Sequence, residues 1–463
     1  MLMAIIALIT LFLFLRQMPI DVVYTLLAIL EQKHLDMQNA EMKKCLQSDE
    51  IIKICNMFIS LQIEEVKKVN EQLRPVIETL INHMKSEDSL FEKMYQQIIF
   101  CGSFYKGTKI EAPNEFDLNV TLKLPINYNY INYLSDRAGF VKIIIGDNVQ
   151  ARNTYTYKNL TNKEMRQLNK LIYNNFVDPN AFRFWIKGII DKVFNKLQKV
   201  EDRYRLLINN SYIVKIKKSE SGPAITLIVN IPHKTEDICV DLAPSLPFDI
   251  NIIPRYITKF DELGRCRNKN WFAIPVPVRT DCNDSDSSLA SLYWRTAFSL
   301  QENEILARYG RVKQVIRLLK KFRNTQKMKS IASYYIETTC LNKLTEINMS
   351  INTISLAYFF FEMLKELQHV CEQGKLDYYW NEKYNLLSRI SQMEMYNIAR
   401  RLKNIIKDIE KNATDKYILA KYILTSEELL SLKNNINNPG NIIPTDERNN
   451  DTDQTNQTSC VIF

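Results

Sequence analysis

Apolar side chains recur along the first part of the chain at a helical spacing. Between about residues 51 and 99 they return every three or four positions, which predicts helix because one helix face repeats with that period. Proline has no amide donor and obstructs the preceding helical turn. We therefore expect Pro75 to kink or split this long helix.

Alternation of apolar and polar residues follows the helix and predicts strands. In residues 116–124 every second residue is apolar, which is the period of a half-buried strand. We expect further strands at residues 211–217, 224–230 and 237–243. From residue 294 to about 432 the apolar spacing is helical, with no strand pattern of comparable strength.

These patterns predict an α+β protein of two lobes, since 463 residues can bury a large core. A long N-terminal helix leads into a mixed α/β lobe, and an all-helical C-terminal lobe follows. We assign residues 1–50 to an apolar N-terminal segment and lead-in, and 51–290 to the long helix and mixed lobe. Residues 291–433 form the helical lobe, and 434–463, rich in Asn, Asp and Thr, a disordered tail.

Both ends of the chain carry apolar signals. The first fifteen residues, MLMAIIALITLFLFL, are short for a membrane span and lack the basic start of a signal peptide. A membrane-leaning anchor, a buried helix and an upstream extension from an alternative start codon all remain open. The C-terminal Cys460-Val461-Ile462-Phe463 has the pattern of a prenylation signal, the alternative being a chance hydrophobic end. We expect a cytoplasmic protein, with membrane association as the alternative.

Cysteine and histidine usage argues against a structural zinc site. The chain has nine cysteines and four histidines, with no C-x-x-C motif. Only His369 has a cysteine close by, Cys371, so the paired spacing of zinc ligands is missing and we expect no zinc. An odd, scattered set of cysteines also favours a reducing compartment over a disulfide framework.

Positive charge is concentrated in a few stretches. The formal net charge is +9, and basic residues crowd residues 67–93, 183–218 and 311–329. A basic face attracts polyanions, nucleic acid first among them, whereas the alternative for each stretch is a solvated helix surface. The residues we expect to form a polyanion-binding surface are Lys67, Lys68, Arg74, Lys192, Lys196 and Lys199.

A pair of carboxylates lies on the predicted strand at residues 116–124. Glu115 and Asp117 are two apart, so both side chains leave the same face. Two like charges that close repel each other unless a cation lies between them, and hard oxygen ligands suit Mg²⁺. The alternative is an ordinary solvated strand face.

Two further features point to phosphate chemistry. Upstream, Gly102 allows close approach of the backbone to a phosphate, which the Ser103 hydroxyl and amide can hold. In the predicted strand at 237–243, Asp241 faces away from the apolar neighbours and would lie beside the acidic pair if the strands are adjacent. Three such carboxylates can hold two metal ions that clamp an in-line phosphoryl displacement, with Asp241 taking the proton from an attacking ribose hydroxyl.

The run from Gly102-Ser103 to Ala112-Pro113-Asn114-Glu115-Phe116-Asp117 resembles the active-site signature of one enzyme family. That family comprises cyclic GMP–AMP synthase and the insect cGAS-like receptors, nucleotidyltransferases of the male-abnormal-twenty-one type. Three more stretches match in the family's order: residues 221–241, 294–310 and 332–335. The resemblance covers roughly residues 50 to 430.

The resemblance implies a metal-dependent enzyme that makes a cyclic dinucleotide of the cyclic GMP–AMP type from ATP and GTP. It implies Mg²⁺, with Mn²⁺ as the alternative, on Glu115, Asp117 and Asp241. The nucleotide-binding positions that it implies are Gly102, Ser103, Asp241, Arg295, Glu302, Lys320, Ser333 and Tyr334. Among these, Lys320 and Ser333 would grip the triphosphate tail.

This chain departs from the vertebrate enzyme in two places. The vertebrate zinc-binding insertion follows the segment matching Tyr309-Gly310, where this chain continues directly into Arg311. The resemblance is then to insect receptors without that insertion, which include sensors of double-stranded RNA, and it implies double-stranded RNA as the activator of an innate immune sensor. A basic helix face would be sufficient for this, because A-form duplexes are recognised mainly through shape and phosphates. Ala243-Pro244 replaces a hydroxyl residue near the acceptor base, so base choice and linkage stay open.

Two other functions remain alternatives for this chain. One is a catalytically silent nucleic-acid-binding module on the same fold, which the presence of all three carboxylates disfavours. The other is a template-free polymerase that adds linear nucleotide tails.

Overall fold

The computed structural model describes residues 29, 40–46, 48–110, 112–146, 159–221, 224–232, 236–275, 291–347 and 354–437. The apolar segment at residues 1–15 and Cys460 lie outside the described residues, so the predictions made for them stay predictions. Within the described part, no helix carries an apolar stretch long enough to cross a lipid bilayer.

Helices occupy both ends of the described chain. Their bounds are α1 (Glu50–Ile59), α2 (Ile63–Glu87), α3 (Ser89–Met94), α4 (Gly102–Tyr105), α5 (Asn162–Asn169), α6 (Pro179–Lys196), α7 (Phe260–Arg265), α8 (Ser299–Ala307), α9 (Gly310–Thr325), α10 (Ser333–Ile347), α11 (Leu356–Gln373), α12 (Gln392–Lys411), α13 (Ile418–Ile423) and α14 (Ser426–Asn437). The last of these ends at Asn437, three residues beyond the start of the predicted tail at residue 434.

Strands fill the middle of the chain. Their bounds are β1 (Tyr95–Cys101), β2 (Glu115–Leu122), β3 (Ile131–Leu134), β4 (Phe140–Ile145), β5 (Ile172–Tyr173), β6 (Phe176–Val177), β7 (Gln198–Val200), β8 (Arg203–Ile208), β9 (Tyr212–Ser221), β10 (Ala224–Asn230), β11 (Ile238–Asp249), β12 (Asn270–Ile274), β13 (Trp294–Ala297), β14 (Asp377–Tyr378) and β15 (Asn381–Asn385). All but the β14–β15 hairpin belong to one sheet.

Strand β11 organises this sheet. Neighbouring strands follow the order β5-β6-β4-β13-β12-β11-β10-β9-β8-β7, while β2 also pairs with β11, and β1 pairs with β2. The first half of β11 lies between β10 and β2, and its second half pairs with β12. Because β11 is twelve residues long, it connects both parts of the sheet and places its own polar residues beside those of β2.

The fold-class prediction is confirmed: a mixed lobe built on a large sheet precedes a helical lobe. The strand predictions are also confirmed, as β2, β9, β10 and β11. Two helical assignments were wrong, because Tyr95–Cys101 and Trp294–Ala297 are strands, and the helical lobe contains the β14–β15 hairpin. Strands of two to five residues offer too few alternations to be told from helix by pattern, and the seven residues of β1 do not alternate between apolar and polar.

Of the two effects predicted for Pro75, a kink or a split of the long helix, the split was wrong. Helix α2 continues through Pro75, and the chain breaks its helical course earlier, between α1 and α2. One missing amide donor removes a single backbone hydrogen bond. The apolar stripe of α2 offsets that loss, since Val69, Leu73, Val76 and Leu80 are all essentially fully buried.

Helix α6 has a well-defined start and packs along α2. The Asp178 carboxylate accepts hydrogen bonds from the amides of Asn180 and Ala181, and Pro179 occupies the first turn. A capping acidic residue followed by proline is a strong N-terminal signal, because the first amides have no helical partner. The buried face of α6 joins the same continuous core as α2 and the sheet.

Candidate active site

The three predicted carboxylates are brought to one face of the sheet. Strands β2 and β11 are parallel, and Asp241 lies directly opposite Asp117 in their register. Glu115 lies two residues before Asp117, so it shares that face, and both are solvent-accessible positions of an otherwise buried strand. The surrounding protein partly desolvates the Asp117 carboxylate and so raises its pKa, and the nearby Glu115 and Asp241 carboxylates raise it further.

Gly102 packs directly against this acidic group. Its φ is +75°, and a Cβ atom built on it would lie 1.9 Å from Oδ2 of Asp117. A side chain at this position is excluded for two reasons: the positive φ is unfavourable for residues with a Cβ atom, and that atom would clash with the Asp117 carboxylate. The Gly102-Ser103 turn therefore lies closer to the Asp117 carboxylate than any other residue type would allow.

The carboxylates and the glycine turn open into one cavity of about 670 Å³. This volume is within the range of small-molecule binding sites. The predicted site residues that line it are Gly102, Ser103, Glu115, Asp117, Asp241, Arg295, Glu302, Ser333 and Tyr334. The walls thus come from the sheet, from α8 and from α10 of the helical lobe.

A buried group of four charges lies at the wall of this cavity, and three of its members, Lys106, Glu302 and Glu337, are lining residues. The Lys106 ammonium contacts the carboxylates of Glu302 at 2.8 Å and Glu337 at 3.1 Å. The Lys320 ammonium contacts Glu337 at 2.8 Å and donates to the Thr108 carbonyl oxygen at 3.1 Å. We call Lys106, Glu302, Lys320 and Glu337 the buried quartet, which joins the turn after Ser103 to three helices of the second lobe.

The buried quartet changes the role expected for Lys320. Its side chain is 3% exposed and points into the quartet, and Lys320 is not part of the described cavity wall. A direct grip on a triphosphate is therefore not what this geometry provides. Burial alone would raise the pKa of Glu337, but the ammonium groups of Lys106 and Lys320 outweigh it and lower that pKa to about 2.

Hydrogen bonds to Glu302 hold the aromatic wall of the cavity. The Tyr334 hydroxyl donates to Oε1 of Glu302 at 2.8 Å, and the Trp380 indole N–H donates to the same oxygen at 3.2 Å. The Ser333 hydroxyl accepts a hydrogen bond from Arg323 at 3.1 Å. Tyr334 is therefore a fixed wall rather than a freely rotating side chain, which suits an aromatic surface for a base.

The carboxylate oxygens of Glu115, Asp117 and Asp241 are suitable ligands for a hard divalent cation, but the three side chains do not converge on one point. No group of three His, Cys, Asp or Glu side chains within the described residues is arranged as a metal site. The Glu115 carboxylate instead contacts the Lys109 ammonium at 2.8 Å. Asp117 and Asp241 are neighbours through the register of their strands, and Glu115 would join them on a cation only by leaving Lys109. Carboxylate oxygens are the ligands that Mg²⁺ prefers.

Several cavity residues escaped the sequence analysis. Lys106 and Asn119 line the cavity close to predicted residues. Lys106 lies four residues after Gly102 and Asn119 lies two residues after Asp117, and these spacings could have identified them. Glu337 lies one helical turn after Ser333. Arg389 lines the cavity from the segment before α12, and no local pattern marks it because its position depends on packing between lobes.

The predicted polyanion surface is divided among two packed helices and a short strand. Lys67 and Lys68 are exposed near the start of α2, Lys192 is exposed near the end of α6, and Lys199 is exposed on β7, which follows α6. Lys196 forms an ion pair with Glu87 at the end of α2. The Arg74 guanidinium lies 5.4 Å from the centre of the Phe100 ring. Several of these cations are therefore already partly engaged within the protein.

Comparison with known protein families identifies two domains in this chain. Residues 104–308 match the Mab-21 protein nucleotidyltransferase domain, and residues 311–404 match the Mab-21 protein HhH/H2TH-like domain. The first match contains the three carboxylates and ends just after α8, and the second begins in the first turn of α9.

Three curated relatives cover most of the chain. A "Cyclic GMP-AMP synthase-like receptor" of Microplitis demolitor is 32% identical over 84% of this chain and 70% of its own length. Proteins of the same name from Trichogramma pretiosum and Aethina tumida are 30% and 32% identical, over 82% and 81% of this chain and 76% and 91% of their own lengths. The chain therefore belongs to the Mab-21 nucleotidyltransferase family, among the cyclic GMP–AMP synthase-like receptors.

Proposed function

We propose that this protein joins ATP and GTP into a cyclic dinucleotide of the cyclic GMP–AMP type when it binds double-stranded RNA. The observation that carries the proposal is the register of Asp241 opposite Asp117, beside Gly102 and inside the cavity. The name of the relatives supports the same product class. The proposed setting is innate immune sensing in the cytoplasm, with membrane association through a Cys460 lipid or the apolar N-terminus as an addition.

Different residues of the cavity would have different roles in nucleotide transfer. Asp117, Asp241 and Glu115 would hold Mg²⁺, or Mn²⁺ as the alternative, which stabilises charge on the phosphoryl oxygens when bound. The Ser103 hydroxyl and the backbone of Gly102 would hold the donor triphosphate. Asp241 would accept the proton from the attacking ribose hydroxyl.

The opposite wall of the cavity would bind the bases and the remaining phosphates. Tyr334, held by Glu302, offers its ring for stacking, and Arg295 contributes a positive charge at the cavity wall. One cavity serves both transfers in this proposal, so the linear intermediate must turn round between them. That requirement suits a single open site bounded by two lobes.

Product analysis tests the proposed reaction. With ATP, GTP and Mg²⁺, we expect chromatography to show a cyclic dinucleotide whose formation is stimulated by double-stranded RNA and not by double-stranded DNA. Absence of product under all conditions would favour the silent binding module. A ladder of linear products would favour the template-free polymerase, and equal stimulation by DNA would refute the RNA assignment.

Charge reversal tests the proposed RNA surface. Lys67→Glu together with Lys68→Glu is expected to reduce RNA-stimulated synthesis about tenfold or more at moderate salt, because phosphate contacts supply much of the affinity for nucleic acid. Lys407→Glu together with Lys411→Glu, both on exposed positions of α12, serves as the charge-matched control. If the double variant and the control respond equally to RNA, this end of α2 is not part of the binding surface.

A further inference from the structure

The carboxylate of Asp241 is held by a hydroxyl on the neighbouring strand. Thr226 on β10 lies directly opposite Asp241 in the antiparallel register of β10 and β11. The Thr226 hydroxyl donates a hydrogen bond to Oδ1 of Asp241 at 2.5 Å. Thr226 is 9% exposed and is not among the residues that line the cavity, whereas Asp241 is one of them.

This hydrogen bond continues a row of polar residues across three strands. Thr226, Asp241 and Asp117 occupy one level of β10, β11 and β2. A hydroxyl donating to a carboxylate at this distance makes a short, charge-assisted hydrogen bond. The terminal torsion of an aspartate is otherwise only weakly restricted, so the hydrogen bond to Oδ1 limits the rotation of the carboxylate plane.

We propose that Thr226 is a positioning residue, which orients the Asp241 carboxylate for the divalent cation of nucleotide transfer. This inference rests on the proposed function, since it assigns Thr226 a role in that same site. Residues that hydrogen-bond to metal ligands typically change metal affinity by about 10–100-fold when they are lost. Thr226 itself does not touch the cavity and takes no part in proton transfer.

A purely structural role for Thr226 makes a different prediction. Threonine and valine have nearly the same shape and both favour strands, so valine preserves the packing of β10. If the hydroxyl serves only folding, Thr226→Val lowers the melting temperature and leaves cation binding unchanged. If it positions Asp241, cation binding weakens even in the folded protein.

Binding of Mn²⁺ without turnover separates these two roles. Electron paramagnetic resonance of free Mn²⁺ reports its binding to the full chain, with no nucleotide present because a triphosphate would itself chelate the cation. We expect Thr226→Val to raise the dissociation constant about tenfold, whereas Thr226→Ser, which keeps the hydroxyl, stays within about twofold of the unsubstituted protein. Thr226→Ala repeats the test in a smaller side chain if the valine variant does not fold.

The reference variant Asp241→Asn distinguishes failure of the inference from failure of the proposed function. If the unsubstituted protein binds Mn²⁺, Asp241→Asn loses that binding and Thr226→Val does not, the role of Thr226 is refuted while the metal site stands. If Asp241→Asn binds Mn²⁺ as well as the unsubstituted protein, the metal site itself is refuted. Loss of binding in both Asp241→Asn and Thr226→Val, with Thr226→Ser retained, supports the inference.

Discussion

Replacing Asp241 with asparagine is expected to lower nucleotide transfer by at least about 1,000-fold, because one residue supplies both a cation ligand and the proton acceptor. The substitution keeps the shape of the side chain, and the amide oxygen can still accept the hydrogen bond from Thr226. It also removes a negative charge that raises the pKa of Asp117. The folded protein should therefore be at least as stable as before.

The measurement pairs the rate of cyclic product formation with the thermal unfolding temperature. Asp249→Asn is the matched control, because Asp249 is an exposed aspartate at the other end of β11 and pairs with β12. We expect that control to retain most of the activity. An Asp241→Asn variant with more than about one tenth of the normal rate would contradict the assignment of this residue, given the size of general-base effects.

Replacing Lys106 with methionine is expected to destabilise the protein by about 3–5 kcal/mol, because breaking a buried ion pair leaves an uncompensated charge. Lys106 contacts both Glu302 and Glu337, all three of which are almost completely buried. Its removal changes the buried quartet from neutral to a net charge of −1, with two carboxylates and only Lys320 remaining.

A second substitution in the buried quartet tests this explanation. Glu337→Gln in the Lys106→Met background restores neutrality, so the double variant should lose less stability than the sum of the two single variants. Lys321→Met is the matched control, since Lys321 follows Lys320 on α9 and pairs with the partly exposed Glu428. Partly exposed ion pairs contribute about 1 kcal/mol or less.

Thermal unfolding of the four proteins and the control measures this coupling. If Lys106→Met costs no more than Lys321→Met, the buried quartet does not hold the lobes together. If the losses of the two single variants simply add in the double variant, the charges act independently. The expected non-additive result would identify the quartet as the electrostatic link between the Gly102-Ser103 turn and the helical lobe.

Much of the fold follows from local pattern, and the exceptions have a common cause. The strands β2, β9, β10 and β11 show the two-residue alternation of a strand in their sequence, and the helical lobe shows the three-to-four-residue spacing of a helix. The strand Trp294–Ala297 does not, because four residues give no period and its pairing partners, β4 and β12, come from earlier in the chain. Likewise Pro75 removes only a local backbone hydrogen bond, and the burial of the apolar face of α2 stabilises the helix despite that loss.

The sequence by itself identified the main chemical groups of the site. It indicated that Glu115 and Asp117 share a strand face, since they are two residues apart, and it pointed to Gly102-Ser103 because these residue types can bind a phosphate. These are short-range facts, because neighbouring residues are related by fixed backbone periods. The nucleotide-binding role of the region was inferred because the same motifs resemble those of one enzyme family.

Only the tertiary structure decided how these groups meet. The pairing of Asp241 with Asp117 depends on a parallel register between distant strands, and a shift of one residue would turn Asp241 to the opposite face. The inward direction of Lys320 depends on Glu337 and Thr108, which reach it from other elements. A lysine beside an apolar stripe normally extends to water, so its burial required partners that no local pattern reveals.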